Sequence, residues 1–304
     1  MKQSPARADA GYLYAGVTIL IWTGFIIVSR IAGKSALSPF DMTALRLGTS
    51  GALLLPWVLW RGLPKVAPHR IAALTAVTGL AYPLLAYGGF VFAPASHGAV
   101  LMSGLLPFFT TFIAFFLLGE RPGKLRIGGL SLIAAGVGVM ASGSFTMQAG
   151  PHGPVWIGDL MLIGSSMLWA LFSVLIKRWK VRALDVTTVI SVTAMLVYLP
   201  VYIVVLPKHI LQVPLGDILL QAFFQGVIVV CLAMVTYAKA TELLGPAKLA
   251  VLMSTVPAMG ALLAVPLLHE PLPPAAAGGV ALVSMGALIG AMARAAVLEK
   301  AAAK

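Results

Sequence analysis

The chain has 304 residues, of which 60% are hydrophobic and only 10% charged, and its mean hydropathy is +0.99. A soluble domain carries about 25% charged residues, so most of this chain must face lipid. The net charge of +12 sits in short loops between apolar segments, not in a stripe interleaved with aromatics. That placement argues against a nucleic-acid partner and fits the basic loops that orient a polytopic membrane protein.

Apolar runs of membrane-crossing length occur ten times, over residues 12–29, 39–60, 71–92, 96–118 and 127–145, then 156–176, 186–206, 218–238, 246–268 and 275–297. The basic start and apolar first run look like a signal peptide, but the run is too long for one, and it reads as a retained first span. An all-α integral membrane protein of ten helices is expected, with loops too short for a soluble domain. With the N-terminus inside, 17 of the 21 Lys and Arg fall on the cytoplasmic side, 3 on the other and one, Arg46, inside a span. Both termini are therefore expected in the cytoplasm. The single cysteine, Cys231, lies in an apolar segment, which leaves no disulfide framework. No catalytic residue, metal site or cofactor is expected.

The run LPFFTTFIAFFLLGERPGKLRIGG, from Leu106 to Gly129, returns 150 residues later as VPAMGALLAVPLLHEPLPPAAAGG. The shift sets Tyr87, Pro107, Glu120, Gly128, Gly129 and Gly136 on Tyr237, Pro257, Glu270, Gly278, Gly279 and Gly286. A shift of 147 sets Trp22 and Phe25 on Trp169 and Phe172. The chain thus divides into residues 1–146 and 147–304, with five spans each. Five is odd, so the second half enters the membrane from the opposite side, as in the inverted repeats of secondary transporters.

This pattern resembles the drug/metabolite transporter superfamily, in particular its ten-helix EamA-type members. The residues that carry the resemblance are the block from Leu105 to Gly129, its copy around Pro257 and Glu270, the Trp-x-x-Phe of the first and sixth spans, and Arg46. The copy departs from the pattern, with HEPLPP in place of a glycine-glutamate turn. Among subfamilies the chain looks most like bacterial exporters of aromatic amino acids. The resemblance implies export of aromatic and other neutral amino acids across the inner membrane.

Pro107 and Pro257 stand near the centres of their spans. A proline there removes a backbone donor and leaves the carbonyl four residues earlier, at Ser103 and Met253, without its helical partner. Such a bend either gates a central cavity or is a static kink. Trp22, Tyr82, Tyr87, Trp169 and Tyr237 are polar-tipped aromatics within spans, whereas Tyr12, Tyr14, Trp57 and Trp60 fit an interfacial belt. With Ser103 and Ser254 beside the prolines, the first five form the candidate substrate cavity; packing against neighbouring helices is the competing use. Arg46 is the candidate carboxylate-binding residue, a structural pair being the alternative. A buried charge costs at least about 2.5–3.5 kcal/mol, so it must find a partner.

Asp41, Asp159, Asp185 and Asp217 stand at span starts, where a carboxylate suits a helix N-terminus. Glu120 and Glu270 close spans and fit a structural role at the turn. His97 reads as a solvated loop residue, and no carboxylate sits at mid-span, so transport without proton coupling is the simpler expectation. The expected partners are a small-molecule substrate and the bilayer, with the chain a monomer or a weak homodimer. Gly286 and Gly290 belong to a small-residue surface that fits packing of the fifth span on the tenth. The alternative function is a multidrug or quaternary-ammonium exporter coupled to protons, which would want a carboxylate in the cavity. Sugar-phosphate exchange fits poorly with one arginine, and His269-Glu270 lacks the second histidine of a zinc protease.

Overall fold

The computed structural model describes residues 5–62, 66–144 and 153–302. Among the described residues ten helices are long and apolar enough to cross a membrane: α1 (Asp9–Gly33), α2 (Pro39–Arg61), α3 (Pro68–Phe92), α4 (Ala95–Leu118), α5 (Lys124–Ser144), α6 (Val155–Arg178), α7 (Ala183–Val204), α8 (Leu215–Leu244), α9 (Pro246–Leu268) and α10 (Pro274–Ala293). The chain is a multi-pass membrane protein. An even number of crossings returns the chain to the face it started from, called here the terminal face; the other is the far face. Large apolar side chains such as Leu13, Leu20, Leu59, Phe116, Leu196, Val204, Phe223 and Leu267 point outward. That outward surface suits hydrocarbon and would be untenable in water.

Helix ends follow local chemistry. Ser38 caps α2 through a reciprocal box: its Oγ accepts from the Asp41 N–H at 3.1 Å, and the Asp41 carboxylate accepts from the Ser38 N–H at 2.8 Å. Asp41 also accepts from the Tyr202 hydroxyl at 2.6 Å and from the His209 N–H, tying α2 to α7 and the turn after it. Gly119 ends α4 in a left-handed conformation, φ 70°, and His269 ends α9 in the same one, φ 54°. The second turn therefore keeps the shape of the first although a histidine replaces the glycine.

The two central prolines take a different position from the one their sequence predicts. They do not interrupt a continuous helix. α4 passes through π-helical turns over Ala99–Gly104, and a fresh helical segment, Leu106–Leu118, starts with Pro107 in its first turn. α9 breaks after Met253 and restarts at Val256, again with Pro257 in the first turn. At that position the missing N–H is one that no helix uses, and the fixed φ helps the segment begin. Further π-helical turns cover Thr75–Ala81 in α3 and Ala222–Leu232 in α8.

Much of the packing repeats under exchange of each helix for the one five places along, although α1 packs on α3 with no comparable contact of α6 with α8. α1 packs on α8 and α6 on α3; α1 packs on α9 and α6 on α4; α2 packs on α8 and α7 on α3. Three pairs map onto themselves: α2 with α7, α4 with α9 and α5 with α10. The last pair shows the relation at atomic level. A Cβ on Gly129 would stand 2.7 Å from the Gly286 carbonyl oxygen, and one on Gly136 would stand 2.9 Å from that of Gly279. Shifted by 150, these two contacts become each other. The small residues are thus used within the chain, where α5 and α10 approach backbone to backbone.

Candidate functional site

Arg46, about two turns into α2, points between α1, α3 and α8. It is buried, at 8% exposure. Its guanidinium lies 5.9 Å from the Phe25 ring centroid and 6.0 Å from that of Tyr82, within cation–π range. One Nη reaches the Tyr87 hydroxyl at 3.5 Å. That hydroxyl donates to Gln225 Oε1 at 3.2 Å, and Gln225 Nε2 donates to Ser29 Oγ at 3.1 Å and Gln221 Oε1 at 3.4 Å. Gln221 in turn donates to the Val28 carbonyl at 3.1 Å. Among the described residues no carboxylate lies within ion-pair distance of Arg46. A desolvated cation is thus held by two rings and one hydroxyl, with no carboxylate among the described residues against its charge.

The aromatic residues expected to share one cavity fall into two groups. Tyr82, Tyr87 and Trp169 join Arg46: Trp169 packs on Tyr82 with ring centroids 4.9 Å apart and on Phe172 at 5.6 Å. Trp22 stacks instead on Tyr237, 5.4 Å away and 25° from parallel, beside a 2.9 Å hydrogen bond from Thr18 to Thr236. Phe25, one turn along α1 from Trp22, connects the groups by lying 6.2 Å from Tyr87. Ser103 and Ser254 sit at the helix breaks, half-buried; Ser254 spends its hydroxyl on the Val251 carbonyl at 2.6 Å.

Gln221, Gln225 and Ser29 escaped the sequence reading. Their signal was present: two amides four residues apart share one face of α8 within LLQAFFQGVIVV, where a polar group needs a partner in the membrane. Gly226 beside them lets α8 close on α2, since a Cβ there would stand 2.5 Å from Thr49.

Charged pairs tie the faces. At the far face Arg30 Nε meets Glu270 Oε1 at 2.6 Å, and Arg30 also donates to the carbonyls of Phe90 (2.6 Å) and Val91 (3.3 Å). The second Glu270 oxygen accepts from the Ala95 N–H at 2.8 Å. Nearby, His97 and Asp159 pair at 2.7 Å. The expectation of a solvated His97 is corrected by this pair: the ring is buried because α6 brings a carboxylate to it. At the terminal face Lys177 pairs with Glu120 in an exposed position.

The EamA-like transporter family matches this chain twice, over residues 9–142 and 156–291. An uncharacterized transporter of Archaeoglobus fulgidus is 29% identical over 172 residues, covering 54% of this chain and 56% of that protein. The chloroplastic phosphoenolpyruvate/phosphate translocator 3 of Oryza sativa subsp. japonica is 28% identical over 213 residues, 65% of this chain and 51% of that one. The matches therefore span only about half the length of these curated relatives. One crystal structure superimposes with a TM-score of 0.64 at 22% identity, covering 96% of this chain and 99% of its own, which shows a shared fold. With both stretches of the chain matched, covering all ten helices, the protein belongs to the EamA-like transporter family.

Proposed function

We propose that this protein is a secondary transporter that exports small amphipathic metabolites, aromatic and other neutral amino acids foremost, across a bacterial inner membrane. The two halves, 1–146 and 147–304, act as inverted repeats that rock about the cluster around Arg46, with both termini in the cytoplasm. The observation that carries this reading is the buried, carboxylate-free Arg46 under the rings of Phe25 and Tyr82. A substrate carboxylate would supply the missing counter-charge, and an aromatic side chain would find Tyr82 and Trp169 beside it. One cation matches one carboxylate. It is poorly matched to a phosphorylated acid such as the one named for the rice relative, which carries several negative charges. A quaternary ammonium group would meet a like charge.

The test is flux of labelled phenylalanine and tryptophan into liposomes holding the purified protein, with leucine, phosphoenolpyruvate and a quaternary-ammonium dye as competitors. Saturable amino-acid flux is expected, with Arg46→Gln raising KM by about 10–100-fold, the size of a lost charged hydrogen bond. Dye flux without amino-acid flux, or an unchanged KM in Arg46→Gln, overturns the reading.

A further inference from the structure

The shift that places Trp22 on Trp169 also places Arg30 on Lys177, and the shift that places Pro107 on Pro257 also places Glu120 on Glu270. The two inter-half ion pairs, Arg30–Glu270 and Lys177–Glu120, are therefore one contact made twice. Each joins the last turn of the first helix of one half to the turn closing the fourth helix of the other. α1 and α6 run in opposite directions, so the two copies sit at opposite faces. The shared left-handed residue before each glutamate, Gly119 and His269, aims both carboxylates alike. A basic residue in the last turn of a helix is explained by the helix dipole alone. That dipole does not explain why each basic residue reaches across to the other half, nor why both do so at equivalent positions.

The copies differ in how far they are engaged. Arg30 and Glu270 are 14% and 10% exposed, and together they also hold Phe90, Val91 and the Ala95 N–H, clamping α1, α3, α4 and α9. Lys34 adds a hydrogen bond to the Leu268 carbonyl, 4.0 Å from the same carboxylate. Lys177 and Glu120 are 54% and 42% exposed, and among the described residues no other ion pair of their side chains is seen. A buried, multiply bonded pair resists separation, whereas an exposed pair contributes little.

We infer that the two pairs are reciprocal locks: Arg30–Glu270 holds the far face shut in the state seen here, and Lys177–Glu120 becomes the buried clamp when the halves rock to shut the terminal face. The chemistry biases the switch. Arginine offers a fork of donors that serves a carboxylate and two carbonyls at once, which lysine does as a point charge only in part. The far-face-closed state is thus the resting one, and neutralising Glu270 moves the population toward opening of the far face.

The experiment reads distances without substrate, so its outcome is independent of the substrate assigned above. On a Cys231→Ala background, spin labels at Ile31→Cys and Pro271→Cys report the far face, and labels at Arg121→Cys and Arg178→Cys report the terminal face. Glu270→Gln is expected to lengthen the 31–271 distance and shorten the 121–178 distance. Glu120→Gln leaves both unchanged, because the exposed pair it breaks contributes little in this state. The swap Arg30→Glu with Glu270→Arg restores the parental far-face distance, which separates loss of a lock from loss of folding. If Glu270→Gln lengthens both distances, or changes neither in protein that stays monodisperse, the reciprocal coupling is wrong. If the swap behaves like the single variant, the ion pair is not the lock.

Discussion

Where α1 and α6 pass α3 at the far face they meet it backbone to backbone, whereas the equivalent contact of α1 with α8 at the terminal face runs through side chains. A Cβ on Gly33 would stand 2.2 Å from the Phe90 carbonyl oxygen, and one on Gly158 would stand 2.7 Å from both the Ala93 nitrogen and the Gly89 oxygen. Gly11, which the 147-residue shift sets on Gly158, faces instead side-chain atoms, Cδ2 and Cγ of Leu244 at 2.8 Å and Cβ of Leu243 at 3.1 Å. A contact between backbones has no soft part to yield, so α1 and α6 are held rigidly against α3 there. The terminal face keeps rotatable side chains and an exposed ion pair between its helices. Two halves built from matching residues thus rest in unequal positions, which is the geometry a rocking carrier needs in one of its states.

The sharpest way to break that comparison is to add one methyl group at each face. Gly33→Ala forces its new Cβ against a carbonyl and must move α1 from α3, so a loss of about 3 kcal/mol, the upper range for overpacking, is expected. Gly11→Ala meets leucine side chains, which yield more readily than a carbonyl, and should cost less than Gly33→Ala. Thermal unfolding in detergent, followed by size-exclusion fluorescence, measures both. Equal midpoints would mean that the two faces are equally tight.

The ion pairs sharpen the same contrast. Glu270→Gln strands Arg30 among buried carbonyls and should destabilise by about 3 kcal/mol, at the low end of what breaking a buried pair costs. Glu120→Gln should fall within ~1 kcal/mol of the parent, because its partner stays in water. High salt should narrow the second effect further and leave the first nearly intact.

The span count, the turn at Glu120 and its copy, the α5–α10 glycines and the role of Asp41 as a cap were legible because each depends on local pattern: length, spacing or a capping motif. The partners of Arg30, Arg46 and His97 were not. Each depends on which helix lies opposite, and only the fold decides that Glu270 is 240 positions from its arginine in sequence yet 2.6 Å away in space. The prolines show an intermediate case. Their presence marked a discontinuity, but the π-helical turns that turn Pro107 into a helix start carry no residue signature. Gln225 was readable in part, as a polar group in an apolar span, without its bonds to Tyr87 and Ser29. Gln225→Leu removes both and should cost about 1–2 kcal/mol of stability, the penalty for stranded buried partners. It should also raise KM for amino acids by loosening the hydroxyl that faces Arg46, while dye binding stays unchanged.

The two tryptophans give the smallest contrast and separate packing from transport. Trp169 is wedged between Tyr82 and Phe172, both nearly fully buried, so Trp169→Ala removes contacts that hold α6 to α3. Trp22 stacks on Tyr237, which is 39% exposed, so its removal leaves the core of α1 and α8 largely supported by Phe25, Ile26 and the Thr18–Thr236 bond. An aromatic pair is worth about 0.5–1.5 kcal/mol beyond its buried area. Trp169→Ala is therefore expected to lower the yield of folded protein and flux together. Trp22→Ala should lower flux more than yield, because its removal leaves the packing of α1 on α8 largely in place. Flux per folded molecule, counted by size-exclusion fluorescence, reads the difference. If the two variants lose flux in the same proportion to yield, Trp22 is a packing residue like its counterpart, and the substrate path does not run along that face of α1.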